Sequence, residues 1–225
     1  MHVVTFDMDG VMFNTEGVYT LVGSELLRRR GCEFTPELKD AMMGTPPQPS
    51  FEMMIRWHSL ADTWEALAEE SNGLFLDLLD GQLEVMPGLF ELLDALERAV
   101  VPKAIATSSC RRLTEACLAP FDLARRFQFI LTSEDIVNGK PDPEIYLKAA
   151  ARFCVPPGEM LVVEDSQNGC RAAVDAGAYA VAVPGEHSRT HDFSGAALVI
   201  DGLNDPRLYE ALGLPGGGWG RAERL

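Results

Sequence analysis

Five short apolar runs without polar alternation constrain the fold of this 225-residue chain more than any other feature. Strands exposed on one face alternate apolar and polar residues, whereas strands buried on both faces of a parallel sheet do not. The runs occupy residues 3–6, 101–107, 129–132, 160–164 and 178–183. Segments with apolar residues three and four positions apart, which are typical of helices, separate several of them. This alternation predicts an α/β fold with a doubly wound parallel sheet.

Residues 16–82 differ, because they lack such runs and carry helical patterns. The patterns cover 19–30, 36–43, 51–58 and 63–79. The Gly- and Pro-rich segment 44–49 divides this block, and Pro87-Gly88 marks the return to the α/β pattern. We therefore predict an α-helical insert at 16–82 within an α/β core made of residues 1–15 and 83–215. The glycine-rich end, 216–225, is expected to be a flexible tail.

The balance of charge excludes several partner classes. Thirty-four acidic residues against nineteen Lys and Arg give a formal net charge of −15. Such a surface repels nucleic acid and anionic lipid, so neither is expected as a partner. No apolar segment approaches the ~20 residues that a membrane-spanning helix needs. The five scattered cysteines include no C-x-x-C pair, which favours free thiols in a reducing cytoplasm.

Two carboxylates follow the first buried run. Asp7 and Asp9 lie two positions apart, at the strand end where open α/β sheets bind their ligands. A solvated turn would use the same pattern, but the apolar run before it and Gly10 after it favour a functional site. An EF-hand is disfavoured, because further oxygen ligands at alternate positions are missing.

Two later segments offer groups that could bind an anion. Thr107, Ser108 and Ser109 follow the second run, where hydroxyls and free amides could bind a phosphate or could simply cap the next helix. Pro141 keeps Lys140 extended, so this lysine could neutralise a phosphate oxygen or orient a carboxylate. A surface loop lysine is the alternative.

Adjacent acids end the fourth run. Glu164 and Asp165 close a buried strand, where two carboxylates without a cation are strongly destabilising. Helix capping by Asp165 or Ser166 is the alternative interpretation. Donor sets made only of oxygen favour Mg²⁺ over zinc or copper.

These four segments, in this order, resemble the four motifs of the haloacid dehalogenase superfamily of phosphotransferases. Residues 4–15 are similar to its first motif, Thr107 to the second, Lys140 to the third and Glu164-Asp165 to the fourth. The resemblance implies a Rossmann-like core in which 16–82 is a helical cap. Such a cap is similar to that of the branch with β-phosphoglucomutase, phosphoglycolate phosphatase and sugar-phosphate phosphatases.

The same resemblance implies a Mg²⁺-dependent phosphatase that hydrolyses a small phosphorylated metabolite, such as a sugar phosphate or a phosphoglycolate-like ester. Asp7 would be the nucleophile that forms an aspartyl phosphate, and Asp9 the general acid and base. Mg²⁺ would be held by Asp7, Asp165 and the backbone carbonyl of Asp9, with Glu164 binding directly or through water. The acid at position 9 argues for a phosphate ester rather than a halide or phosphonate.

Substrate contacts are also implied by the resemblance. Thr107, Ser108 and Lys140 would bind the phosphoryl oxygens. The leaving group would meet Gly44 and Thr45 of the cap loop, together with Ser109 and Arg111 of the core.

Two alternative functions use the same motifs. The first is a β-phosphoglucomutase-like phosphomutase, but Tyr19 stands where the mutase members carry a histidine, which favours hydrolysis. The second is a non-catalytic, phospho-accepting or binding protein. In each case we expect a cytoplasmic monomer.

Overall fold

The computed structural model describes residues 1–42, 45–79, 81–186 and 188–215, so Gly44 and the predicted tail, 216–225, lie outside the described residues. The strands are β1 (Val3–Phe6), β2 (Lys103–Ala106), β3 (Ile130–Leu131), β4 (Met160–Glu164), β5 (Tyr179–Ala182) and β6 (Leu198–Val199). The α-helices are α1 (Thr15–Arg28), α2 (Pro36–Met42), α3 (Pro47–His58), α4 (Trp64–Leu79), α5 (Leu89–Arg98), α6 (Arg111–Leu118), α7 (Glu144–Phe153), α8 (Gln167–Asp175) and α9 (Pro206–Ala211). None of these helices is long and apolar enough to cross a membrane.

The strands form one parallel sheet in the order β3-β2-β1-β4-β5-β6. The chain winds outward from β1 in both directions, so the switch point of the sheet lies between β1 and β4. Phe6 pairs with Ile105 of β2 and with Val163 of β4. Because the strands are parallel and in register, the residues that follow β1, β2 and β4 emerge at one edge. This topology confirms the predicted doubly wound α/β fold.

Burial on both faces explains why the apolar runs lack alternation. Every residue of β1, β2 and β4 is buried. Successive side chains of a strand point to opposite faces. Accordingly, Phe6 and Val163 pack in one core cluster, whereas Val3 and Val162 pack in a second. Helices cover both faces, so neither face needs polar residues.

The helices α1–α4 form the insert between β1 and α5. The rings of Tyr19 in α1 and Phe75 in α4 pack with their centroids 4.8 Å apart. Arg30, just after α1, donates to Asp62 and to Glu70 at 2.7 Å each. These contacts hold α1, α4 and the segment before α4 together.

Three elements differ from the prediction. α3 begins at Pro47 rather than at 51, because proline has no N–H to lose and is tolerated in the first turn of a helix. The break at 44–49 is therefore shorter than expected. α1 begins at Thr15 rather than at 19. The short strand β6, Leu198–Val199, was not predicted.

Two glycines of α1 provide a matched test of how closely this helix packs. A Cβ at Gly17 would have no other atom within 4 Å, whereas a Cβ at Gly23 would lie 2.6 Å from the Phe34 ring. Alanine is favoured over glycine inside a helix by ~1 kcal/mol. We expect Gly17→Ala to raise the free energy of unfolding by about 0.5–1 kcal/mol, and Gly23→Ala to raise it less or to lower it. Urea denaturation measures both changes, and equal gains would contradict the packing of α1 against Phe34.

Candidate active site

Polar side chains that follow three neighbouring strands meet at the carboxyl edge of the sheet. Asp7 follows β1, Thr107 follows β2 and Asp165 follows β4. The Asp7 N–H donates to the Val163 carbonyl at 2.9 Å, and the Thr107 N–H donates to the Leu131 carbonyl at 3.0 Å. The backbone ladders thus continue past the ends of β1 and β2, which sets where Asp7 and Thr107 leave the sheet.

The ammonium group of Lys140 lies buried among the carboxylates. It donates to Asp7 Oδ1 at 2.5 Å, to Glu164 Oε1 at 2.6 Å and to the Ala106 carbonyl at 3.1 Å. The residue is only 6% exposed, so the surface-loop interpretation of Lys140 is wrong. An ammonium group has three N–H donors, and all three have partners within the protein. This arrangement fits the interpretation in which Lys140 orients carboxylates.

Burial and charge act in opposite directions on the pKa values of these groups. Burial alone would lower the pKa of Lys140, but the Asp7 and Glu164 carboxylates outweigh it and raise that pKa. Burial raises the pKa of Asp7 to about 8, although Lys140 opposes the shift. Burial and the neighbouring Glu164 also hold the pKa of Asp165 well above its usual range. The site therefore contains more acidic groups than Lys140 can neutralise.

Glu164 has further partners that sequence analysis missed. Tyr146 of α7 donates its hydroxyl to Glu164 Oε1 at 2.5 Å. Ser166 donates to Oε2 at 3.2 Å and caps α8 by accepting the Gly169 N–H, so capping by Ser166 is confirmed. A Cβ at Gly169 would overlap the Glu164 carboxylate. The helical pattern of α7 marks Tyr146 only as a core residue, and no local signal points to Gly169.

The acidic residues converge closely enough to hold a cation. Asp7, Glu164 and Asp165 each offer a carboxylate oxygen within 4.8 Å of the others. Asp165 lies against Gly10, where φ is +74° and a Cβ would overlap the Asp165 carboxylate. Ligands that are all carboxylate oxygens suit Mg²⁺, and the excess of acidic groups explains why a cation would bind. The donor set therefore fits this ion.

Asp9 contacts the residues after β2. Ser109 donates its hydroxyl to Asp9 Oδ2 at 2.7 Å, and Thr107 donates to the same oxygen at 3.4 Å. Asp9 Oδ1 is buried and has no hydrogen-bond partner in the described part of the chain. The helix-capping interpretation of this hydroxyl segment is wrong, because the N-cap residue of α6 is Cys110 and no side chain forms a capping hydrogen bond there. The Arg111 N–H at the start of α6 donates instead to the Glu134 carboxylate at 3.0 Å.

The remaining predicted substrate contacts have other surroundings. Ser108 is exposed after β2. Arg111 donates to Asp135 at 2.8 Å and to Thr132 at 3.3 Å. Thr45 lies between α2 and α3, where its carbonyl accepts from Ser50 at 3.1 Å, and Gly44 is outside the described residues.

Comparison with known proteins places the chain in a family. Residues 4–183 match the family described as haloacid dehalogenase-like hydrolase. A Drosophila melanogaster protein named "Probable pseudouridine-5'-phosphatase" is 35% identical over 216 residues, which cover 93% of each chain. A "Phosphorylated carbohydrates phosphatase" from Thermotoga maritima is 33% identical over 181 residues, 79% of this chain and 82% of that protein. The crystal structure of CbbY from Rhodobacter sphaeroides in complex with phosphate has a TM-score of 0.80 at 26% identity and covers 90% of this chain and 95% of that one. This chain therefore belongs to the haloacid dehalogenase-like hydrolase family.

Proposed function

We propose that this phosphoric monoester hydrolase is a Mg²⁺-dependent phosphatase that acts through an aspartyl phosphate at Asp7. The observation that carries the proposal is the difference between the two Asp7 oxygens. Oδ1 accepts from Lys140, whereas Oδ2 has no hydrogen-bond partner among the described residues. Lys140 therefore holds the carboxylate in place while one oxygen stays free to bond to phosphorus.

The proposed substrate is a small phosphorylated metabolite, of the sugar-phosphate or phosphoglycolate class. The two relatives described above are named as phosphatases, one of them of phosphorylated carbohydrates. The net charge of −15 disfavours nucleic acid and anionic membranes as partners. We further propose that the protein works as a cytoplasmic monomer.

In the first step, Asp7 Oδ2 attacks the phosphorus in line with the ester oxygen. A bond forms between Oδ2 and phosphorus, and the bond from phosphorus to the ester oxygen breaks. The electron pair of that bond stays on the ester oxygen. Asp9 donates a proton to this oxygen, so that the alcohol leaves as a neutral molecule.

In the second step, water attacks the phosphorus of the aspartyl phosphate. Asp9, now ionised, accepts a proton from the water. The bond from phosphorus to Asp7 Oδ2 breaks, which returns the Asp7 carboxylate and releases inorganic phosphate. Over both steps, one water and one ester become one alcohol and one phosphate, and Asp9 ends protonated as it began.

Asp7, Asp165 and the backbone carbonyl of Asp9 are the proposed Mg²⁺ ligands. When bound, the ion supplies positive charge that reduces the repulsion between Asp7 and an incoming phosphate dianion. Both oxygens of Glu164 already accept hydrogen bonds, from Lys140 and Tyr146 on one side and Ser166 on the other. Their occupancy supports binding of Glu164 through water rather than directly.

Thr107, Ser108 and Lys140 are the proposed phosphate-binding residues. A hydrogen bond from Lys140 to a phosphoryl oxygen would replace one of its three present bonds. We assign the leaving-group contacts to Gly44, Thr45, Ser109 and Arg111. In the structure Arg111 donates to Asp135, and this contact would compete with one to the substrate.

The proposed cap, residues 16–82, would close over the core of 1–15 and 83–215 and exclude bulk water. Two contacts between these parts support the assignment. The Tyr19 hydroxyl of α1 lies 3.4 Å from the Ser109 hydroxyl, and Arg112 of α6 forms an ion pair with Glu69 of α4 at 3.4 Å.

A panel of phosphate esters tests the function. With Mg²⁺, we expect the wild-type protein to release phosphate from a sugar phosphate or from pseudouridine 5'-phosphate. Because Asp7 carries the phosphoryl group, Asp7→Asn should lower kcat by ~10⁴-fold or more. Asp201→Asn, at an exposed acid outside the proposed site, is the matched control.

Three results of this panel would contradict the proposal. The first is no phosphate release above the Asp7→Asn rate from any ester. The second is interconversion of sugar-phosphate isomers faster than phosphate appears, which indicates a mutase. The third is a stable phosphorylated Asp7 without turnover, which indicates a phospho-accepting protein.

Two acidic substitutions should separate proton transfer from metal binding. Asp9→Asn should lower kcat by ~10²–10⁴-fold, because it removes the proton donor and acceptor, while Mg²⁺ binding survives through the backbone carbonyl. Asp165→Ala should lose Mg²⁺ affinity and activity together. Isothermal titration calorimetry with Mg²⁺, alongside kcat, measures both. A collapse of Mg²⁺ affinity in Asp9→Asn would refute the backbone assignment.

A further inference from the structure

A chain of hydroxyl groups joins the helical insert to Asp9. Ser109 Oγ lies 2.7 Å from Asp9 Oδ2 and 3.4 Å from Tyr19 Oη. A serine hydroxyl has one proton to donate, and Asp9 Oδ2 accepts it whether the carboxyl group is ionised or carries its proton on Oδ1. Since Ser109 donates to Asp9, the contact with Tyr19 requires Tyr19 to be the donor. The direction of the chain is therefore Tyr19 to Ser109 to Asp9.

Tyr19, the first donor in this series of hydroxyl groups, is held by packing within the insert. The Tyr19 ring in α1 packs on Phe75 of α4, with 4.8 Å between ring centroids. Burial and the charge of Asp9 raise the pKa of Tyr19 well above its ordinary value, so its hydroxyl keeps its proton. The position of this donor depends on where α1 and α4 lie relative to the sheet.

The two oxygens of Asp9 differ as a result. Oδ2 accepts from Ser109 and also from Thr107 at 3.4 Å. Oδ1 is buried and has no hydrogen-bond partner among the described residues. Two hydroxyls on one oxygen resist rotation of the carboxyl group, and they leave Oδ1 as the oxygen without a partner among the described residues.

We propose that Ser109 and Tyr19 are positioning residues that hold Asp9 Oδ2 and thereby present Oδ1 to the ester oxygen of the leaving group. Because Tyr19 belongs to the insert and Ser109 to the core, seating of the insert over the core orients Asp9. This inference rests on the proposed phosphatase function and deepens it. It gives Ser109 a role toward Asp9 that differs from a direct contact with the leaving group.

Ser109 could position Asp9 or contact the leaving group directly. Two esters whose leaving groups differ in their need for a proton distinguish these roles. Phenyl phosphate and p-nitrophenyl phosphate share a ring and a phosphoryl group, but p-nitrophenolate leaves readily without a proton and phenolate does not. A misplaced acid therefore slows phenyl phosphate more. The value of kcat/KM reports only the steps up to departure of the first leaving group, so the later attack by water does not affect the comparison.

We expect Ser109→Ala to lower kcat/KM for phenyl phosphate by about tenfold, which is part of the ~10²–10⁴-fold contribution of a positioned acid. The kcat/KM for p-nitrophenyl phosphate should change by less than about twofold. Tyr19→Phe keeps the ring on Phe75 and should produce the same pattern at about threefold, the effect of one hydrogen bond. Ser24→Ala and Tyr179→Phe are controls for the loss of a hydroxyl elsewhere and should change neither ester.

Two further variants test whether Ser109 acts through Asp9. Ser109→Thr keeps the hydroxyl and should restore most of the phenyl phosphate value. In an Asp9→Asn background, Ser109→Ala should not increase the difference in kcat/KM between the two esters any further. The carboxyl group that Ser109 positions is absent from that background. The thermal midpoint of each variant establishes that it is folded, and if Ser109→Ala does not fold, Tyr19→Phe and Ser109→Thr decide the question.

Equal losses for both esters in Ser109→Ala would overturn the proposal and assign Ser109 to a substrate contact. Unchanged values in folded Ser109→Ala or Tyr19→Phe would overturn it as well. If the wild-type protein releases no phosphate from any ester, the phosphatase function itself fails and this inference falls with it. If the wild-type protein is active but the variants lose kcat/KM equally for both esters, only the positioning role is refuted.

Discussion

The buried ammonium group of Lys140 is the interaction on which the rest of the site depends. Its ion pairs with Asp7 and Glu164, at 2.5 and 2.6 Å, are almost completely removed from water. Removal of one partner from a buried pair typically costs about 3–5 kcal/mol, because the remaining charge is left without compensation. The three side chains therefore hold one another in place, and Tyr146 donates to the same Glu164 oxygen. One ammonium cannot balance the three nearby carboxylates, so the arrangement that secures Asp7 also favours the binding of a further cation.

The parallel register of the sheet turns these local contacts into one site. Asp7 and Glu164 lie at the ends of neighbouring strands, and the switch point between β1 and β4 leaves room above them. The chain then makes a tight loop, in which the Gly10 N–H donates to the Phe13 carbonyl at 2.9 Å, before α1 begins at Thr15. This short path places the first helix of the insert directly beside the acids. The insert can therefore contact Ser109 through Tyr19, although the two residues are ninety positions apart.

The apolar runs predicted β1, β2, β3, β4 and β5, because burial within the sheet leaves a strong compositional signal. This signal did not predict the start of α3 or the strand β6. α3 starts at Pro47, where the first turn tolerates proline, and β6 is an edge strand with neither residue fully buried. Lys140 taken alone is indistinguishable from a surface lysine, and only the resemblance of four ordered motifs assigned it to the site. Tyr146 lies at a core position of the helical pattern of α7. That pattern does not predict its hydrogen bond to Glu164.

The sequence by itself determined the class of fold, the helical character of the insert and the residue types that could bind a cation and a phosphate. These properties follow from local composition, because apolar runs, periodicity and the types of donor atom are local features of the sequence. Only the tertiary structure decided which partners meet. Lys140 gives all three of its donors to groups brought in by β1, β2 and β4. Ser109 donates its hydroxyl to Asp9 and accepts no capping N–H at the start of α6. Such pairings join residues far apart in the chain, and they depend on strand register and helix packing, which no local pattern encodes.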